Sequence, residues 1–135
     1  MLIEINDKVT LRQVQEAFSK KFPYLEINFF SGPPNEDNLY DRCDLIPVDT
    51  MLADIKRTHV SALMEIQPSN TIAEVEHEFY QRFGLRAQVL RQYDTHWILP
   101  ADIDQLTLQQ QNEIARKDAA HIVHPDYDTK IEDII

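Results

Sequence analysis

Apolar residues recur along this chain with two distinct periods. Leu11, Val14, Phe18 and Phe22 follow one another at steps of 3, 4 and 4, which lines one face of an α-helix. Ile72, Val75, Phe79 and Phe83 repeat the same stripe. Ala17 widens the first stripe, whereas Glu78 takes its place in the second. Each stripe is preceded by a capping box, Thr10 with Gln13 and Thr71 with Glu74, in which hydroxyl and N3 side chain satisfy each other's backbone amides. Pro23 cannot continue the first helix, and Gly84 suits a left-handed end for the second. Period-two segments follow both helices. Leu25, Ile27 and Phe29 alternate with Glu26, Asn28 and Phe30, and Ala87 and Val89 alternate with Arg86, Gln88 and Leu90. Such strands have one apolar and one mostly polar face.

The two stretches are versions of one segment. At a constant offset of 61, residues 2–30 and 63–91 share seven identities: Leu2/Leu63, Glu4/Glu65, Ile5/Ile66, Thr10/Thr71, Val14/Val75, Phe18/Phe79 and Phe22/Phe83. The copies then diverge. Residues 31–44 form a proline- and acid-rich loop, whereas Gln92-Tyr93-Asp94-Thr95 is a compact turn before His96-Trp97-Ile98-Leu99, which reads as a hairpin. Leu45–Asp49 matches Ile98–Asp102 at offset 53, with Pro47 and Pro100 ending a third strand. Helices follow at about 50–57 and about 104–118.

This order predicts an α+β fold of tandem βαββα units, a single domain over 1–118 with pseudo-repeats 2–58 and 60–118. One unit of this size buries too little apolar surface by itself. Two units joined about a pseudo-twofold axis give a two-layer structure, with one mixed sheet, the helices on one face, and a core of Phe18, Phe22, Phe79 and Phe83. The crossover rule makes the strands flanking each helix parallel. The alternative is a ferredoxin-like βαββαβ core over residues 2–67 with the second half appended. Residues 119–135 read as an acidic tail.

Composition removes several function classes. Only two glycines are present, which excludes a glycine-rich phosphate loop. Cys43 is the lone cysteine, so there is no internal disulfide and no multi-cysteine metal cluster, and it points to a reducing, cytoplasmic compartment. The N-terminus does not read as a signal peptide, and no apolar run is of membrane-spanning length. A net charge of −10 disfavours direct nucleic-acid binding. Residues 1–60 carry ten acids and seven bases (−3), and residues 61–135 carry thirteen and six (−7).

The candidate chemistry is sparse. His121, His124, Asp126 and Asp128 have a spacing that suits a metal, but Pro125 and the tail position deprive it of a rigid surround. Asp94 and His96 form a His–Asp pair with no evident nucleophile. His96 reads as a hairpin residue and Trp97 as a core anchor. His77 sits among Glu74, Glu76 and Glu78 on a solvent-facing side of the second helix. Asp49, Asp102 and Asp104 read as helix-start carboxylates. No cofactor is implied. The polar sheet face, with Glu26, Asn28 and Phe30 from one copy and Gln88 and Leu90 from the other, is the candidate partner surface.

The pattern T-I-A-E-V-E-x-E-F-x-x-R-F-G-L-x-A-Q-V-L-R, a tryptophan hairpin and T-L-x-Q-Q-N follow in order over residues 69–112. This resembles a family of small uncharacterised bacterial proteins, more loosely so over residues 2–57. The resemblance implies the fold and carries no activity or ligand residue. The reading is therefore a non-enzymatic binding or adaptor protein that engages a protein partner, or a second copy of itself, through the open sheet face or the acidic tail. A metal-binding or hydrolytic enzyme built on the His/Asp residues, and an acidic nucleic-acid mimic, are its competitors.

Overall fold

The computed structural model describes residues 1–6, 8–31, 45–51, 54 and 62–122. Among the described residues eight elements follow in order: β1 (Leu2–Ile5), α1 (Leu11–Lys21), β2 (Leu25–Phe30), β3 (Ala62–Glu65), α2 (Ile72–Phe83), β4 (Arg86–Tyr93), β5 (His96–Ile98) and α3 (Leu108–Ile122). The class is α+β. Both predicted capping boxes are present, with Thr10 and Thr71 as N-caps. Gly84 ends α2 at φ 66°, where the absence of a Cβ removes the steric cost. A third reciprocal cap starts α3. Thr107 N–H donates to Gln110 Oε1 (2.8 Å) and Gln110 N–H to Thr107 Oγ1 (3.1 Å).

The strand pairing departs from the single mixed sheet. Among the described residues there are two sheets, β1-β3 and β2-β4-β5, and every strand pair is antiparallel. The ferredoxin-like alternative over residues 2–67 would also set β3 beside β1, but the strand it needs between β1 and β2, near residues 45–48, is among the described residues only an isolated Phe30–Leu45 bridge. The register gives the reason. Ile3 pairs with Met64, its counterpart at offset 61, while Leu2 pairs with Glu65 and Glu4 with Leu63. Asn28 pairs with Gln88, its counterpart at offset 60, because Pro23 and Tyr24 occupy the space that Gly84 alone fills in the second half. β1 and β2 are thus paired with β3 and β4, the strands at the corresponding places in the second half, running the opposite way, while β5 pairs with β4. The flanking strands of a helix never become neighbours, and the crossover rule has nothing to act on.

The two halves share one core. Phe18, Phe22, Phe79 and Phe83 are all buried, as their spacing predicts. The Phe18–Phe22 rings stand 5.4 Å apart and Phe79–Phe83 6.3 Å, and Phe29 meets Phe79 edge-on at 5.2 Å. Leu25, Ile27 and Phe29 supply the apolar face of β2, and Leu85, Ala87 and Val89 that of the second half. α3 adds Leu108 and Ala115, and runs to Ile122 rather than ending near residue 118. Most of the helix expected at 50–57 lies outside the described residues, as do Cys43 and the loop from 32 to 44.

Candidate functional site

The register brings the five residues of the expected partner face together: Glu26 lies opposite Leu90, Asn28 opposite Gln88, and Phe30 opposite Arg86. Not all of them are exposed. Phe30 is 8% exposed, because the chain returns at this end of β2: Phe30 bridges Leu45, and Ile46 N–H donates to Phe29 O (2.8 Å). The other four are half-buried. Gln15 Nε2 reaches Asn28 Oδ1 (3.1 Å), and Asn28 Nδ2 reaches Glu26 Oε2 (3.4 Å), so part of this polar row is bonded within the protein.

Trp97, rather than Phe30, is an exposed aromatic residue of this sheet. It was predicted as a core anchor and is instead 42% exposed. Trp97 pairs with Gln92, so its side chain lies on the face of Gln88 and Leu90, opposite the face of Ala87 and Val89 that meets the core. The hairpin pairs Arg91 with Ile98, Gln92 with Trp97, and Tyr93 with His96 across a turn at Asp94 and Thr95. Asp94 adopts φ 57°, a left-handed conformation that Asp tolerates better than most residues. It therefore belongs to the turn and does not share a strand face with the exposed His96. Leu99, two residues beyond Trp97, is also exposed, and so is Tyr93, on the opposite face with its partner His96. Three of the eight exposed large hydrophobic residues among those described thus fall within seven positions.

A buried polar chain fixes this hairpin to the body. Arg91 Nη1 donates to Gln111 Oε1 (2.8 Å), and Gln111 Nε2 donates to Asp102 Oδ1 (3.2 Å) and Asp102 O (3.4 Å). Gln111 is fully buried, so both ends of its amide must find partners inside. Tyr24 N–H donates to Asn112 Oδ1 (2.8 Å), tying β2 to the same helix. Asp102 therefore serves this chain rather than a helix start, since α3 begins at Leu108. In the first half Asp49 pairs with Arg12 at 3.0 Å on the surface.

Glu76 also departs from its expected solvated position. Its Oε2 accepts from Val89 N–H (2.9 Å). Burial pushes this carboxyl up from its ordinary 4.5 to about 7, and the hydrogen bond from Val89 only partly opposes the shift. Its counterpart Gln15 donates through Nε2 to Ile27 O (2.8 Å). Ile27 and Val89 face each other in the ladder, and the two helices close its two outer edges with opposite hydrogen-bond chemistry. Position 76 directly follows the apolar Val75, and Gln15 holds the same place in the first half. That flank of the stripe was the signal that either residue turns inward.

Other candidates resolve into structure. A groove of about 320 Å³ beside β3 is lined by Glu65, Glu74, His77 and Glu78, but Glu74 is engaged by Thr71 N–H (2.8 Å). No group of three or more His, Cys, Asp or Glu side chains suited to a metal ion occurs among the described residues. The main chain of His121 lies in α3, while His124, Asp126 and Asp128 lie outside the described residues. The helix N-termini are closed by the fold: Arg12 N–H donates to Val48 O (2.8 Å), and Ala73 N–H to Ile103 O (2.9 Å). No described helix is long and apolar enough to cross a membrane. No protein-family model, curated protein or solved structure matches this chain.

Proposed function

We propose that this chain is a small protein-binding module whose contact surface is the β4–β5 hairpin rather than the centre of the sheet. The observation that carries this reading is the exposure of Trp97 and Leu99 on one face and of Tyr93 on the other face of a hairpin that the Arg91–Gln111–Asp102 chain ties to the body. Tryptophan and tyrosine supply much of the binding energy in protein interfaces, because they bury large area for little lost side-chain freedom. A rigid platform avoids part of the ordering cost of association. A second exposed pair, Leu2 and Leu63, is less suited: each lies cross-strand from a glutamate in a two-stranded sheet.

The test is affinity capture with the intact chain as bait, comparing wild type with Tyr93→Lys and Leu99→Lys. A partner held by the wild type and recovered at least tenfold less with both variants supports the hairpin. Equal recovery from all three baits removes it.

A further inference from the structure

We infer that the hairpin surface also recognises a second copy of this chain, by antiparallel pairing of β5 with its equivalent about a twofold axis near Trp97. The inference rests on the hairpin reading above and adds the partner and its geometry. Three observations lead to it.

The first is the direction of the main chain. In an antiparallel ladder, pairs that exchange hydrogen bonds alternate with pairs that do not. Gln92 N–H donates to Tyr24 O (3.0 Å), on the β2 side. Its partner Trp97 is therefore a non-bonded pair member, and the Trp97 N–H and C=O face away from β4. They have no main-chain partner among the described residues. β5 also lacks the usual edge protection, since His96-Trp97-Ile98 holds no lysine or proline, and Pro100 lies beyond its end.

The second is charge. Two copies each bearing −10 repel except where the local charge vanishes. Residues 84–100 carry Arg86 and Arg91 against Asp94, a formal +1. This edge can face its own copy without net repulsion.

The third is self-complementarity. A twofold contact needs a surface that fits itself, and an antiparallel strand pair does. The chain already uses this device twice, pairing equivalent strands about Ile3/Met64 and about Asn28/Gln88. In the proposed pair, Trp97 N–H of each copy donates to Trp97 C=O of the other. The two indoles lie side by side on the face that Gln92 shares. A three-residue ladder with an aromatic rim is a small contact, so the dimer is weak and concentration-dependent.

Trp97 is the only tryptophan, which makes it the reporter. Sedimentation equilibrium and tryptophan emission are followed on the full chain from about 1 µM to about 1 mM, a range suited to weak contacts. The expected result is a rise from 15.8 kDa toward twice that mass, with a parallel blue shift as the indole leaves water. Leu99→Lys keeps the reporter and should weaken association at least tenfold. Trp97→Pro removes the indole and the outward N–H, neither of which bonds β4, and, followed by sedimentation alone, should do the same while far-ultraviolet circular dichroism stays native. A chain that remains monomeric with constant emission overturns self-pairing and leaves the hairpin surface to its capture test. A dimer of unchanged affinity in Leu99→Lys, or one that forms with no change in emission, also overturns it.

Discussion

In the first half of the chain the amide of Gln15 donates to the carbonyl of Ile27, and in the second the carboxylate of Glu76 accepts from the amide of Val89. The two residues are counterparts, and they guard the two edges of one ladder. A carboxylate can only accept, so it serves the edge that presents an N–H; a glutamine can also donate, so it serves the edge that presents a C=O. The halves differ again at their ends. The first turns back through Leu45 and buries Phe30, whereas the second makes a tight hairpin and exposes Trp97. Positions that face the core are kept in kind between the halves, whereas the two residues that close the ladder edges and the segments that follow β2 and β4 have diverged in chemistry.

The largest effects should come where the halves are alike. Phe18→Ala and Phe79→Ala each empty a fully buried site, and each should cost about 3–5 kcal/mol in urea unfolding. Closely matched losses are expected. A loss below about 1 kcal/mol for either one would show that the core is not shared between the halves.

The next test separates the edges. The Glu76 carboxyl is raised in the folded chain, so between its ordinary 4.5 and about 7 the folded state holds a proton that the unfolded state releases. Stability should therefore fall as pH rises through that window, by up to about 3 kcal/mol. Glu76→Gln keeps an acceptor oxygen for Val89 and should remove most of this slope. Gln15→Glu should introduce a similar loss, since a charged carboxylate facing Ile27 O has no proton to donate. Urea midpoints at pH 5 and pH 8 check all three chains. A wild type with the same midpoint at both values contradicts the raised carboxyl.

Two smaller effects follow. Thr10→Ala and Thr71→Ala should each cost about 1 kcal/mol by thermal unfolding, because each removes one half of a reciprocal cap. Unequal losses would show that one helix leans more heavily on its tertiary contacts, such as Arg12 N–H to Val48 O. Asp94→Gly should stabilise the second half alone by about 0.5 kcal/mol, since glycine has no steric cost at φ 57°.

Helices, caps and core phenylalanines were legible because each is a local pattern: a stripe at steps of 3 and 4, a Thr three residues before a Gln or Glu, a Gly after the last turn. The candidate surface was legible only in part. Alternation placed Glu26, Asn28, Phe30, Gln88 and Leu90 on one sheet face, and the register agrees. It could not show that Gln15 would bond that row or that Leu45 would close over its end. Trp97 looked like core by residue type, but burial depends on which sheet face a residue takes, and pairing with Gln92 puts Trp97 on the face away from Ala87 and Val89. Gln111 was one of three consecutive glutamines, and nothing local marks it as the residue that reaches both Arg91 and Asp102.

The chain's own pattern settled what short-range geometry can settle: where helices start and stop, which face of each is apolar, and which residues of the two halves correspond. Three-dimensional packing decided which strands are neighbours, which edges are closed, and which aromatic residue meets water. The reason is physical. Periodicity is written in residues a few positions apart, whereas pairing and burial are contacts between residues some 60 positions apart, and only the assembled core chooses among them.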